Sequence, residues 1–384
     1  MGPMTRRSAC AALGAMTLGL AACAGAPPLA KMAASADDPS EQDLARARDF
    51  LRRHAAIDAH AHPGRSFLRG VSNLSAPVLA LLDQGPSEAE AVAAMQAGGL
   101  AVACFAAVAD LPVLDIRSDG LHAVRAFEPG EAWGGLQTQL ANLRGLQTQA
   151  LVRPVLSPRD IHAPRRAEKI GAIMAIEGGD FLEGRLERLQ AVYAGGVRTI
   201  TIVHYRRNEI GDIMTEPEQQ RGLTDFGVQV VREMNRMGLL IDLAHAAEPT
   251  AFRTLEHATR PVMISHAHVR TAAFDHPRFI SLDLAKAVAA GGGVIGAWPA
   301  GIGISTLAGF VDRIIELAEL VGIDHVCIGT DMDANYRPVF DDYRQLPELI
   351  ARLTRRGLSR DELAKIAGGN FLRVFGAATT GEAA

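Results

Sequence analysis

A His-x-His pair near the start of the chain can place two imidazoles on one metal ion. His60 and His62 follow a strand-like segment that begins at Ala55, and a Pro-Gly turn comes directly after them. Because the side chains of an extended strand alternate between its two faces, both rings lie on the same side. Imidazole nitrogen is a common ligand of zinc and similar divalent metals. Such a pair also arises by chance, so its interpretation depends on the rest of the chain.

Two further histidines occupy matched positions one strand–helix–strand unit apart. His245 follows the apolar run 239–243, and His266 follows the apolar run 261–265, with a helix predicted between them. In parallel α/β sheets, ligands and metals bind at the carboxyl ends of the strands. A single histidine that ends a strand is often a structural residue, but two at matched positions favour a site.

Glu177 ends another apolar run and is followed by two glycines. A buried carboxylate without positive partners is costly, and two metal ions bridged by Glu177 would supply those partners. The sequence therefore predicts two zinc-like ions. One would be bound by His60, His62 and Glu177, and the other by Glu177, His245 and His266. Two such ions can hold a shared hydroxide and polarise a carbonyl or phosphoryl oxygen.

Asp331 and His204 complete the predicted chemistry. Asp331 can take a proton from that hydroxide and pass it to a leaving group, although it can also be a loop cap. His204 can stabilise a developing oxyanion, with a structural histidine as the alternative. His268 is an alternative metal ligand to its neighbour His266. Arg278 suits a substrate carboxylate if it faces the site, and is otherwise a surface residue.

Eight strand-like runs, mostly separated by helical segments, position these residues. The runs cover residues 55–59, 100–108, 171–176, 197–203, 239–243, 261–265, 293–297 and 324–329. This succession predicts an α/β fold, a (β/α)8 TIM-type barrel with the architecture of metal-dependent hydrolases. The seven histidines and carboxylates proposed for the chemistry all fall at the carboxyl ends of the runs, where such barrels carry their active sites.

Composition and charge exclude some classes of function. The net charge is −4 and the chain has no basic run, so we expect no nucleic-acid partner. Cys104 and Cys327 lie in apolar runs and are predicted to be buried thiols, with a disulfide between them left open.

The first 39 residues are expected to lie outside the fold. Residues 1–22 carry an arginine pair and a short apolar core, which is typical of a signal peptide. They end in a Leu-Ala-Ala-Cys lipobox that would attach a lipid to Cys23, with an ordinary cleaved signal as the alternative. Residues 23–39 suit a flexible tether, and 40–384 a single catalytic domain. The expected location is the periplasmic face, lipid-anchored to the membrane, and Ala24 favours the outer membrane.

From about residue 55 to residue 375 the chain resembles the membrane (renal-type) dipeptidase family, metallopeptidases among the amidohydrolase-like barrels. The resemblance is densest in GLTDFGVQVVREMNRMGLLIDLAH, in SHAHVR with DHPR after it, in IGTDMD, and in LTRRGLSRDELAKIAGGNFLRVF. It implies a barrel that binds two Zn²⁺ or similar ions, with Glu177 as bridge and His245 and His266 as ligands. It also implies that His204 is the substrate-side histidine, Arg278 the substrate-carboxylate arginine and Asp331 the aspartate of strand eight.

What the resemblance implies for function is a metallo-dipeptidase. Members cleave dipeptides, often tolerating a D-residue at the C-terminal position, some open β-lactams, and many form homodimers. The chain departs from the family at His62, where an aspartate is usual, and the strand-seven segment GVIGAWPAG lacks an expected tyrosine. These departures leave open a dinuclear metal amidohydrolase that acts on N-acyl amino acids, lactones or β-lactams. A substrate-binding lipoprotein without catalysis is the third alternative, which the complete set of ligands argues against.

Overall fold

The computed structural model describes residues 38–118, 120–162, 167–216, 221–272 and 274–380. The predicted signal segment, the predicted lipid attachment at Cys23 and the tether up to residue 37 lie outside these ranges. Among the described helices, none is long and apolar enough to cross a bilayer.

Eight parallel strands close into a barrel, as the sequence predicts. In chain order the strands are β1 (Ala56–Ala61), β2 (Leu100–Val108), β3 (Leu114–Arg117), β4 (Gly120–Ala123), β5 (Val152–Pro154), β6 (Ile170–Glu177), β7 (Val197–Thr201), β8 (Leu240–Asp242), β9 (Met263–Ala267), β10 (Val294–Ala297) and β11 (Val326–Ile328). The barrel order is β1-β2-β6-β7-β8-β9-β10-β11, and β1 pairs with β11 to close it. All eight apolar runs therefore form barrel strands, and the predicted (β/α)8 architecture is confirmed.

Helices surround the barrel and connect its strands. They are α1 (Glu41–Arg53), α2 (Ala76–Leu79), α3 (Glu88–Gly98), α4 (Glu131–Thr148), α5 (Arg188–Ala194), α6 (Asp225–Met237), α7 (Glu248–His257), α8 (Leu282–Ala290), α9 (Leu307–Val321), α10 (Leu346–Arg355), α11 (Arg360–Ala364) and α12 (Asn370–Thr379). Short 3₁₀ turns cover Pro63–Leu68, Ala80–Gln84, Leu111–Val113, Pro158–Ile161, Asp180–Leu182, Ile323–His325 and Tyr343–Gln345.

Helix α6 shows how local sequence sets these boundaries. The Thr224 side chain accepts a hydrogen bond from the backbone N–H of Gly227, which caps the first turn. The helix ends at Gly238, whose φ of 77° is the left-handed conformation that favours glycine. Both boundaries thus follow from residue types in the local sequence.

The helical segment that begins at Arg360 continues past its two glycines. A π-helical turn over Lys365–Gly369 joins α11 to α12, and the helix continues to Thr379. The glycines in this turn serve close packing rather than termination. A Cβ on Gly368 would lie 2.2 Å from the carbonyl oxygen of Ala55.

Helix α12 covers the amino end of the barrel. Phe371 and Phe375 are fully buried against apolar side chains inside the barrel, including Leu240 and Met263. Asn370 donates hydrogen bonds to the carbonyls of Ile323 and Val326, just before β11. This end of the barrel is thus filled and capped, which leaves the carboxyl end for chemistry.

Two features were not predicted. The antiparallel hairpin of β3 and β4 follows β2, and the short strand β5 pairs with the start of β6. Cys104 and Cys327 are buried free thiols, as expected, and form no disulfide.

Candidate metal centre

The seven predicted polar residues lie together at the carboxyl end of the barrel. His60 and His266 lie within β1 and β9, Glu177 is the last residue of β6, and His62 follows β1 directly. The other three lie three residues beyond a strand: His204 after β7, His245 after β8 and Asp331 after β11. All seven side chains are buried.

Two groups of ligand atoms share the Glu177 carboxylate. We call His60, His62 and Glu177 the first ligand group, and Glu177, His245 and His266 the second. Within each group the ligand atoms all lie within 4.8 Å of one another. These are the groups that the sequence predicts.

The spacing within each group fits a divalent ion. In the first group, the Nε2 atoms of His60 and His62 are 3.1 Å apart, and each is 3.4 Å from a Glu177 oxygen. In the second, the Nε2 atoms of His245 and His266 are 3.1 Å apart and lie 3.1 and 3.8 Å from Glu177 Oε1. Four ligands placed tetrahedrally around zinc would be separated by about 3.3 Å. The donor set and its spacing therefore fit a metal ion in each group.

The electrostatics of the two groups differ. Burial raises the pKa of Glu177, but His204 and His60 outweigh burial and hold that pKa well below its ordinary range. Burial lowers the pKa of His62, but Asp331 and Glu177 outweigh it and raise the pKa to about 10. The carboxylates around His62 thus stabilise positive charge at this position of the first group.

In the second group, protons are disfavoured on the rings. Burial and the neighbouring Arg278 hold the pKa of His245 well below its ordinary value. Burial and His60 do the same for the pKa of His266. Neutral imidazole is the form that binds metal, so these rings are ready to act as ligands.

Hydrogen bonds at the Nδ1 atoms orient three of the rings. His62 Nδ1 lies 3.1 Å from the carbonyl oxygen of Ala106, to which it can donate. The Ser265 hydroxyl lies 3.0 Å from His266 Nδ1 and 3.5 Å from His60 Nδ1. Donation from Nδ1 leaves the Nε2 lone pair free for a metal. His245 Nδ1 has no such partner among the described residues.

Two buried aspartates brace the strand ends that carry the ligands. Asp58 accepts hydrogen bonds from the backbone N–H groups of His60 and Thr330, and from the Tyr343 hydroxyl at 2.6 Å. Asp242 does the same for the backbone N–H groups of Ala244 and Ser265. Neither residue was recognised in the sequence, although each places a charge within an apolar run.

Two site residues adopt the left-handed backbone region. His245 has φ of 66° and Asp331 has φ of 54°, which costs free energy for residues other than glycine. Each is held by the backbone of a neighbouring segment. His245 O accepts from Met214 N at 2.8 Å, and Asp331 N donates to His60 O at 2.9 Å. Nothing in the local sequence predicts this conformation.

His204 and Asp331 both lie against the first ligand group. His204 Nε2 is 3.4 Å from Glu177 Oε2, and Asp331 Oδ1 is 3.3 Å from His62 Nε2. On the other ring nitrogen, His204 Nδ1 lies 2.7 Å from Asp110. Both residues can therefore reach a group bound at Glu177. Asp110 was not recognised in the sequence, where it simply follows a long apolar run.

Arg278 faces the site rather than the surface. One of its terminal nitrogens lies 3.1 Å from His245 Nε2 and 3.3 Å from His266 Nε2, and the other contacts Met214 Sδ. None of these partners is an anion, and Arg278 Nε has no partner among the described residues. Its guanidinium also lies 5.2 Å from the Trp298 ring. The site therefore holds a buried cation whose described contacts include no anionic group.

His268 does not join either ligand group. Its ring packs edge-on against Phe279, and burial next to Arg313 lowers its pKa to about 3. His266 occupies the ligand position instead, and the alternative assignment of His268 is not supported. Tyr205, which the sequence did not single out, does lie in the site, with its ring 5.0 Å from that of His245.

The chain matches the family model described as membrane dipeptidase (peptidase family M19) over residues 44–384. A dipeptidase of Aspergillus oryzae is 33% identical over 226 residues, which is 56% of this chain and 52% of that protein. The chain spans about half the length of the curated relatives that it matches.

Solved structures share the fold at low sequence identity. The probable dipeptidase PvdM from Pseudomonas aeruginosa has a TM-score of 0.73 and 19% identity, covering 88% of this chain and 99% of that one. A metallo peptidase from Rhodobacter sphaeroides, bound to a phosphinate mimic of the dipeptide L-Ala-D-Ala, has a TM-score of 0.69 and 18% identity. That comparison covers 85% of this chain and 99% of the other.

Proposed function

Since the chain belongs to the membrane dipeptidase family, we propose that it is a metal-dependent dipeptidase that hydrolyses the peptide bond of small dipeptides. The observation that carries the proposal is the convergence of two ligand groups on Glu177, each with two imidazole nitrogens and a carboxylate oxygen. The family relationship and this donor set support the same chemistry independently.

We propose two Zn²⁺ or similar divalent ions as cofactors, one for each ligand group. His60, His62 and Glu177 would hold one ion, and Glu177, His245 and His266 the other. When bound, such ions supply Lewis-acid activation of a water molecule and of the scissile carbonyl. The residues around them supply orientation and proton transfer.

Asp331 and His204 are proposed as the catalytic residues. Asp331 is the carboxylate next to His62 that does not belong to a ligand group, so it can accept a proton from the attacking water. The same carboxyl can then pass the proton to the leaving amine. His204 Nε2 points to Glu177 and can donate to the carbonyl oxygen as negative charge develops there.

We propose that Arg278 binds the substrate carboxylate. Its buried guanidinium has no anionic partner among the contacts described above, and a forked guanidinium suits a carboxylate. His204 is the second residue proposed to contact the substrate. The Rhodobacter sphaeroides relative binds a mimic of L-Ala-D-Ala, which supports a dipeptide substrate and a D-residue at the C-terminal position.

The proposal is tested by hydrolysis of a panel of L-L and L-D dipeptides with the purified, zinc-loaded protein. We expect turnover in the wild type and a loss of about 10²–10⁴-fold in Asp331→Asn, with metal content unchanged. Asp160→Asn is a matched control because Asp160 caps a turn near α12, at the opposite end of the barrel. No turnover of any dipeptide by protein with both ions bound would contradict the dipeptidase proposal.

A second candidate keeps the metal centre but takes an N-acyl amino acid, a lactone or a β-lactam. The observation that favours it is His62, a neutral ligand where a carboxylate would add negative charge, together with the Trp298 ring 5.7 Å from that of His266. Rates on these compounds well above the rates on dipeptides would favour this candidate.

We also propose that the protein is exported and held at the periplasmic face of the membrane, the outer membrane in particular, by a lipid on Cys23. In this proposal residues 1–22 are the signal peptide, 23–39 the tether and 40–384 the catalytic domain. The lipobox sequence supports it. Incorporation of labelled palmitate into the wild type but not into Cys23→Ser is the expected result. A homodimer is proposed on the family relationship, and sedimentation of the purified protein tests it.

A further inference from the structure

We infer that Asp110 is the positioning residue for His204, and that it acts on the reaction only through that imidazole. The inference rests on the proposed function, in which His204 faces the reacting carbonyl. Asp110 lies just beyond the end of β2 and contacts neither ligand group. Its side chain is fully buried, and so is nearly all of His204.

Both oxygens of the Asp110 carboxylate are engaged by one short segment. Oδ1 lies 2.7 Å from His204 Nδ1, and Oδ2 accepts a hydrogen bond from the backbone N–H of Tyr205 at 2.9 Å. Because a carboxylate accepts hydrogen bonds, Nδ1 must carry a proton, and Nε2 can donate only when it carries a proton of its own. The same contact turns Nε2 towards Glu177 and compensates positive charge on the ring when Nε2 donates.

The backbone holds Asp110 in register with the bridging glutamate. The N–H of Ala109 donates to the carbonyl oxygen of Glu177 at 2.7 Å. The Gln139 side chain clamps Val108 by accepting from its N–H and donating to its carbonyl oxygen. Asp110 is therefore placed relative to Glu177 by hydrogen bonds at the two preceding residues.

Gly178 lies where the segment that carries Asp110 meets the segment that carries His204. Its φ is 91°, and a Cβ there would lie 3.5 Å from His204 Cβ and 3.6 Å from Ala109 Cβ. It would also lie 3.0 Å from an Asp180 oxygen. Asp180 in turn pairs with Arg206 at 2.7 Å, so a second fixed carboxylate borders the same space. The positive φ therefore favours glycine at 178, and a Cβ there would be in ordinary contact with His204 and Ala109 but would crowd the Asp180 carboxylate.

Asp110→Asn tests the inference because the amide has only one oxygen to accept hydrogen bonds, whereas Asp110 accepts from two donors, His204 Nδ1 and Tyr205 N–H. If its oxygen keeps the bond to Tyr205 N–H, its NH₂ group faces His204 Nδ1, so Nδ1 can no longer donate there and the contact that holds Nε2 towards Glu177 is lost. We expect kcat to fall about 10–100-fold, as for other outer partners of catalytic groups, while KM changes little. Asp160→Asn should keep wild-type kcat.

A double-mutant cycle separates positioning from a merely structural role. In the His204→Ala background, Asp110→Asn should cause no further loss of kcat, because its effect passes through a ring that is no longer there. Multiplicative losses in the double variant, or an unchanged kcat in Asp110→Asn, would overturn the inference.

A spectroscopic measurement keeps the test independent of the substrate. In the zinc-loaded protein with ¹⁵N-labelled histidine, His204 Nδ1 should carry a proton in the wild type and lose it in Asp110→Asn. A wild-type ring without a proton on Nδ1 would refute the inference even if dipeptides are cleaved. If no dipeptide is cleaved but Nδ1 behaves as expected, the proposed function fails and the positioning role of Asp110 stands.

Discussion

The two ligand groups present the same donor atoms but are built in different ways. The first takes both histidines from the end of one strand, β1, where the two-residue period of an extended chain brings His60 and His62 together. The second takes His266 from β9 and His245 from the loop after β8, so its geometry depends on the packing of two strands. Glu177 is the only residue common to both.

The contacts that orient the histidines of the two groups differ accordingly. His62 is oriented by the carbonyl of Ala106 and sits beside Asp331, whereas His245 has a left-handed backbone and an Nδ1 without a described partner. The first group is therefore specified by a local pattern and attracts a proton or a cation. The second is specified by the fold and holds neutral rings.

The largest effect is expected from the residue that the groups share. Glu177→Gln replaces a bridging carboxylate by a neutral amide in the centre of four imidazoles, so binding of both ions should weaken. We expect metal content below one ion per chain and a loss of kcat beyond about 100-fold, the upper range for outer partners of metal sites. Elemental analysis after gel filtration measures the metal content. Retention of two ions would show that Glu177 does not bridge.

Removing one histidine should affect one group only. His62→Ala leaves the second group intact, and His266→Ala leaves the first, so each variant should keep about one ion per chain if ligands of separate groups act independently. Elemental analysis of the two variants, with His204→Ala as a control that keeps all five ligands, makes the comparison. Loss of both ions from either variant would mean that the groups form a single cooperative site.

The sequence predicts the first ligand group and the barrel better than it predicts the residues that orient the site histidines. His-x-His and the eight apolar runs are local patterns, and each run became a strand. The role of Asp110 depends on a partner 94 residues away in the chain, so no local pattern reveals it. Ser265 contacts its neighbour His266, but its second contact, with His60, spans 205 residues and is equally hidden in the sequence. The backbone of His245 is likewise imposed by neighbouring segments.

The two groups should differ in how strongly their zinc affinity depends on pH. The pKa of His62 is raised to about 10, so below that pH a proton must leave before a metal binds the first group. Affinity there should rise by about 10-fold per pH unit from pH 6 to 8. The pKa values of His245 and His266 lie well below their ordinary value, so the second group should show almost no such dependence. Zinc titrations of His266→Ala and His62→Ala, each with one group remaining, measure the two slopes. Equal slopes would contradict the difference in charge.

Among the described residues, Ser265 is the one whose hydroxyl contacts a histidine of each group, so its removal should weaken metal binding in both. Its oxygen can accept from the Nδ1 of His266 at 3.0 Å and, more weakly, from that of His60 at 3.5 Å. Ser265→Ala should therefore lower zinc affinity by about 10–100-fold overall, with the larger loss in the second group because its contact is shorter. Competition with a chelator measures both constants, and Ser66→Ala is the control, since Ser66 is buried and its hydroxyl has no partner among the described residues. A loss confined to the second group would show that the longer contact contributes nothing and that the two groups are joined through Glu177 alone.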